Sequence, residues 1–315
     1  MQLALYGSIA WRHPFGFAQV IDWAEEFGWN LVDARGMALD IPGSPKKKLT
    51  AFGYDMLGPR QIRRSARSEL RKRIEDAGLS LLCIYCSAPV NLPGAVGEES
   101  RKLFGEFLEL AADLGAAWVR AINNSTDDCQ GGEMSPDQAF NETVAGLKIV
   151  GERAAELGVG VMLENNENTT TSNAQALMQM QDEIGPVCRT GIAFDPVNAF
   201  FQGHDPIPEL DALEGRITVL HLKNVRRHDS ESFQYMPRGQ YSYEWTSLAD
   251  GDMNWGDLLR RAAAGGFDGP LTFEYVNPFK GMPTGYWDCL REPDEAAREE
   301  ADYLRGLLSE TAAAL

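Results

Sequence analysis

One pattern recurs along the chain and limits what it can fold into: an amphipathic helix, a glycine, then a short apolar strand. It occurs in "WAEEFGWNLVDARG" (23–36), "RIEDAGLSLLCIYCS" (73–87), "ELAADLGAAWVRAINN" (109–124), "GERAAELGVGVMLEN" (151–165) and "RAAAGGFDGPLTFEY" (261–275). Glycine at a helix end suits a left-handed cap. Short apolar runs without polar alternation suit parallel strands covered on both faces. "RTGIAFDP" (189–196) and "RITVLHLKN" (216–224) add two strands after shorter helical segments, and "LALYGSIA" (3–10) supplies the first. Eight βα units within 315 residues predict a (β/α)8 TIM barrel. A doubly wound sheet would want a glycine-rich turn after its first strand, and "YGSIAWRHPFG" (6–16) holds no GxGxxG.

Local signals agree with that architecture. "SPDQ" (135–138) predicts a helix start with Ser135 as cap, Pro136 in the first turn and Gln138 closing a capping box. Phe104, Phe107, Leu108 and Ala111 share one helical face and read as core. No linker interrupts the pattern, so residues 1–315 read as one barrel domain. Loop insertions are expected at about 37–57 and 225–250, on the face that bears the active-site loops.

The formal net charge of −17 disfavours a surface that tracks phosphates or anionic lipid, so neither nucleic acid nor membrane is expected as a partner. The basic cluster "PKKKL" (45–49) reads as a solvated loop. "MQLALYGSIAWRH" lacks the basic and apolar regions of a signal peptide. Five scattered cysteines, including the pair Cys83 and Cys86 inside a strand, read as reduced thiols of a cytoplasmic protein.

Barrel enzymes carry their chemistry at the C-terminal strand ends. Four successive ends here offer Glu164 ("VMLEN"), Asp195 ("IAFDP"), His221 ("VLHLKN") and Glu274 ("LTFEY"). A carboxylate closing a strand buried on both faces is costly unless a partner neutralises it, and a metal ion is such a partner. Three carboxylates and one imidazole converging at one mouth favour Mn²⁺, with Mg²⁺ or Co²⁺ as substitutes, over a thiolate-type zinc site. Lys223 alternates with His221 along its strand and is expected at the same mouth. His13, beside Trp11 after the first strand, is a further pocket candidate.

The motifs "VMLENNE", "GIAFDPVNAF", "ITVLHLKN", "GDMNWGDLL" and "GFDGPLTFEY", spread over about 140–280, resemble the sugar phosphate isomerase/epimerase group of xylose isomerase-like TIM barrels. The resemblance implies one divalent ion held by Glu164, Asp195, His221 and Glu274. In the ketose 3-epimerase members the two glutamates also exchange the substrate proton. Arg227 matches a substrate-contacting arginine of those epimerases. Asn166 and Asn198 stand where the family often has histidine, and Thr170 stands where the epimerases carry another glutamate. Asparagine can hydrogen-bond a hydroxyl but cannot shuttle a proton, so Asn166 and Asn198 are expected to bind substrate.

The implied reaction is proton abstraction next to a metal-chelated carbonyl, through an enediolate, on a small sugar-like ketone. Isomerisation or epimerisation is the first expectation. A lyase of the same fold, acting on an inosose, a dehydroshikimate or a C-glycoside, is the alternative. An endonuclease IV-like branch needs many histidines, and the chain has four. The family likeness also implies a homo-oligomer, a dimer or tetramer.

Overall fold

The computed structural model describes residues 1–10, 13, 15–36, 57–121, 134–167, 169–230, 235–238, 241–276 and 291–314. Its barrel strands are β1 (Leu3–Tyr6), β2 (Leu31–Arg35), β3 (Ser80–Cys86), β4 (Trp118–Ala121), β5 (Gly160–Glu164), β6 (Thr190–Phe194) and β7 (Ile217–Leu222). After β8 (Asn224–His228), β9 (Tyr235–Arg238) and β10 (Tyr241–Thr246), the strand β11 (Leu271–Phe273) closes the ring between β7 and β1. Every barrel pairing is parallel. The fold is the expected TIM barrel.

Helices α1 (Phe17–Glu26), α2 (Arg64–Asp76), α3 (Gly94–Leu114), α4 (Pro136–Leu157) and α5 (Ala174–Ile184) cover the first strands. The short α6 (Pro196–Phe201) and α7 (Pro206–Ala212), then α8 (Trp255–Ala264) and α9 (Pro293–Ala314), complete the outer ring. Gly115 and Gly158 end α3 and α4 at φ 77° and 69°, where an L side chain would be strained and glycine is not. Ser135 caps α4 by accepting from the Gln138 amide, as its sequence predicts. Phe104 and Phe107 are fully buried, so Phe107→Ala would cost about 3–5 kcal/mol.

Inward-facing side chains alternate along each strand and therefore stack in layers. Ala4, Leu31, Cys83, Trp118, Met162, Ala193 and Val219 belong to one apolar cluster inside the barrel. Trp118 fills much of that layer because Gly160 has no side chain; a Cβ there would lie 2.3 Å from the indole. Two residues further along the same strands come Tyr6, Asp33, Tyr85, Arg120, Glu164, Asp195 and His221. An apolar plug thus supports a polar layer at the C-terminal mouth.

The segment expected as an insertion at about 225–250 is an antiparallel sheet in the order β8-β10-β9. β9 and β10 form its hairpin, and β8 pairs with the other edge of β10. Asn224 anchors the sheet to the barrel, its amide donating to the carbonyls of Leu248 and Met253. Residues 37–56 of the other expected insertion lie outside the described residues, as do Trp11, Cys129 and Cys289. Cys83, Cys86 and Cys188 are free and buried. Among the described residues no helix is long and apolar enough to cross a membrane.

Candidate active site

Strand ends β5, β6 and β7 bring their polar residues to one point, and Glu274 after β11 lies beside them. One ligand-type atom from each of Glu164, Asp195 and His221 lies within 4.8 Å of the others. Glu274 follows β11 directly, its amide donating to the Leu222 carbonyl. Its Oε2 is 3.6 Å from His221 Nδ1, and Glu164 Oε1 is 3.8 Å from the same nitrogen. Donors bound to one ion at about 2.0–2.6 Å stand roughly this far apart. The donor set fits a divalent cation.

Asp195 shows why β6 ends as it does. It caps α6 through Oδ1, which accepts from the amides of Val197 and Asn198. Asn165 fixes its backbone from both sides, accepting from the Asp195 amide and donating to its carbonyl. The other oxygen, Oδ2, is buried without an aligned hydrogen bond and faces the Lys223 ammonium at 2.8 Å. A fully buried carboxylate oxygen satisfied only by a nearby cation is suited to a metal ion.

Lys223 also donates to Glu274 Oε2 at 3.1 Å, so one ammonium bridges two of the four expected ligands. Burial opposes its charge, but Asp195 and Glu274 prevail and hold its pKa above the usual lysine range. Burial alone would raise the Glu274 carboxyl; Lys223 and then His221 hold it well below the usual carboxylate range instead. Burial and Arg120 push the His221 imidazole down, while Asp33, Glu274 and Glu164 outweigh them and bring it to about 9.

Arg120 and Asp33, two charged residues inside barrel strands, complete this cluster. Arg120 projects from β4 and is 2% exposed; its Nε forms an ion pair with Glu164 Oε2 at 3.4 Å, without an aligned hydrogen bond, and its Nη1 lies against the His221 ring. Its guanidinium sits over the rings of Tyr6 and Tyr85, at 5.0 and 5.2 Å. Asp33, on β2, is equally buried and lies 3.7 Å from His221 Nε2. The ladder between β2 and β3 shifts register at Val32/Asp33, an irregularity of the kind common beside active sites. The available signal was a charge inside each of two apolar strands, "LVDAR" and "WVRA", where burial demands a partner.

The remaining expected residues sit elsewhere. Asn198 is buried, but its amide donates to the Asn165 carbonyl and so braces the β5 and β6 ends. Asn166 is exposed one residue beyond Asn165, and its carbonyl accepts from Thr169. Arg227 lies in the outer sheet on β8, its guanidinium 4.4 Å over the Tyr241 ring and 5.7 Å from that of Phe200. His13 packs against Trp23 and Phe15, at ring separations of 5.5 Å each.

Fold and site together define a parallel (β/α)8 barrel with a carboxylate–histidine cluster at its C-terminal mouth. Residues 21–307 match the family model described as xylose isomerase-like TIM barrel, and the chain belongs to that family. Among curated relatives, the inosose dehydratase of Geobacillus thermodenitrificans (strain NG80-2) is 23% identical over 234 residues, covering 67% of this chain and 76% of the relative. Similar solved structures include the IOLI protein with a binding zinc atom, at TM-score 0.70 and 14% identity over 99% of each chain. D-psicose 3-epimerase in the presence of D-fructose superposes at TM-score 0.69 with 13% identity, over 98% of this chain and 99% of that one.

Proposed function

We propose that the chain is a divalent-metal-dependent enzyme that removes a proton beside the carbonyl of a sugar-like ketone and then eliminates water. The observation that carries this reading is the Glu164, Asp195 and His221 cluster within 4.8 Å, with Glu274 beside it. These four residues would hold the ion, Mn²⁺ first by the oxygen-rich donor set and Mg²⁺ or Co²⁺ as substitutes. When bound, it acts as a Lewis acid that stabilises negative charge developing on the carbonyl oxygen.

The protein's own residues then divide the proton work. Glu274 takes the carbon-bound proton, and the electron pair left behind forms a carbon–carbon double bond. The adjacent carbon–oxygen bond breaks, and Lys223 gives a proton to the departing hydroxide, releasing water. The hydrogen bond from Lys223 to Glu274 Oε2 returns the proton to the lysine and resets the pair. Positioned acid–base groups of this kind supply about 10²–10⁴-fold, and orientation supplies much of the rest. An inosose dehydratase among the relatives supports elimination.

Isomerisation or epimerisation, the first expectation from sequence, is the second reading. It is favoured by two glutamates, Glu164 and Glu274, within 3.8 and 3.6 Å of the one His221 Nδ1 atom. The substrate is in both cases a small sugar-like molecule, and the reading takes the protein as a cytoplasmic homo-oligomer. The test is to incubate inososes and ketoses with the enzyme and Mn²⁺ in D₂O, read by mass spectrometry and NMR. A product lighter by one water supports elimination; an isomer of unchanged composition carrying solvent deuterium replaces it with isomerisation.

A further inference from the structure

We infer that Arg120 is a positioning residue that clamps Glu164 through Oε2, so that Glu164 offers the candidate metal centre only its Oε1 atom. The inference rests on the metal-dependent reading above. It begins from where the guanidinium lies: 2% exposed, in the layer directly above the Trp118 plug, on the strand adjacent to that of Glu164. Glu164 Oε2 is 3.4 Å from Arg120 Nε, whereas Oε1 points toward His221 Nδ1 at 3.8 Å. The two oxygens of one carboxylate therefore face different charges.

Arginine suits such a clamp for three physical reasons. It keeps its proton at every working pH, so the charge opposite Oε2 is permanent. Its planar head lies over the rings of Tyr6 and Tyr85, and a cation over aromatic faces is retained in a dry site where a flexible ammonium would swing. A further contact, from Nη1 to the His221 ring, ties the same group to a second expected ligand. Asp33, also buried, adds a further negative charge beside the same imidazole, 3.7 Å from Nε2. A rigid partner on one oxygen is what prevents a carboxylate from turning to chelate with both.

Cobalt substitution tests this without turnover, because Co²⁺ d–d bands weaken as coordination number rises. Wild-type protein is titrated first with Co²⁺ and Mn²⁺; failure to bind either defeats the metal reading itself, before any variant is made. With Arg120→Met, a released Glu164 chelates through both oxygens, so the Co²⁺ bands weaken, and loss of a nearby positive charge tightens Mn²⁺ about tenfold. Arg120→Lys keeps the charge and loses the planar head, so Mn²⁺ affinity stays near wild type while the Co²⁺ bands still weaken. That variant also decides the matter if Arg120→Met does not fold. Co²⁺ spectra of the folded variants that superimpose on wild type overturn the inference, since an arginine serving only to hold the barrel together would leave them unchanged.

Discussion

The two glutamates of the site both approach His221 Nδ1, at 3.8 and 3.6 Å, and their counter-ions differ in kind. Glu164 stands on the more closed side, its side chain 11% exposed and opposite an arginine 2% exposed whose guanidinium lies over two tyrosine rings. Glu274 stands on the open side, its side chain 23% exposed and bonded to Lys223. Arginine cannot yield its proton and lysine can. One residue type is thus placed twice, once with a fixed charge and once with a proton-bearing one. Environment separates their roles where sequence alone makes them equivalent.

The strongest way to break that comparison is to neutralise each glutamate in turn. Glu274→Gln should lower kcat by about 10²–10⁴-fold while Mn²⁺ still binds through the other three residues. Glu164→Gln should lose turnover and Mn²⁺ affinity together. Equal signatures in steady-state kinetics and metal titration would erase the distinction between the two sides.

A smaller effect sharpens the account of the open side. Lys223→Met should slow dehydration about 10²-fold, yet leave Glu274 able to exchange the carbon-bound proton with D₂O. Exchange followed by NMR, faster than product formation, is the expected result. Loss of exchange in parallel with dehydration would assign Lys223 to the first step.

The barrel was legible in its short apolar runs, and Glu164, Asp195 and Glu274 were legible because β5, β6 and β11 each end at an abrupt polar residue. "VMLEN" and "IAFDP" announce both the strand and its cargo. Arg120 and Asp33 lie on β4 and β2, and only the layering of inward-facing residues brings them level with Glu164. Arg227 is expected from the resemblance to epimerases, and here it lies on β8, where the chain leaves the barrel for a separate sheet. His13 and Asn166 sit in connections whose direction no periodicity fixes. Asn198 does lie beside Asp195, and its amide is spent on the Asn165 carbonyl.

The smallest expected effect concerns acid stability. Burial would raise the Glu274 carboxyl, but Lys223 and His221 hold it well below the usual range. Its ionised form therefore contributes stability that is present above the unfolded glutamate value of about 4.3 and is lost as pH falls from there toward the folded value. Metal-free Glu274→Gln should show a shallower loss of Tm than wild type on going from pH 5 to pH 3, as followed by circular dichroism. Parallel slopes would mean that the Lys223 contact does not hold in solution.

The central claim is that the Glu164, Asp195, His221 and Glu274 cluster holds one divalent ion. Calorimetric titration of metal-stripped protein with Mn²⁺ tests it most directly, with Asp195→Asn as the matched variant, because Asp195 Oδ2 is buried without an aligned hydrogen bond. The account predicts one ion per chain for wild type and a loss of affinity of at least about tenfold in the variant. No binding by wild type, or binding that Asp195→Asn leaves unchanged, would contradict it.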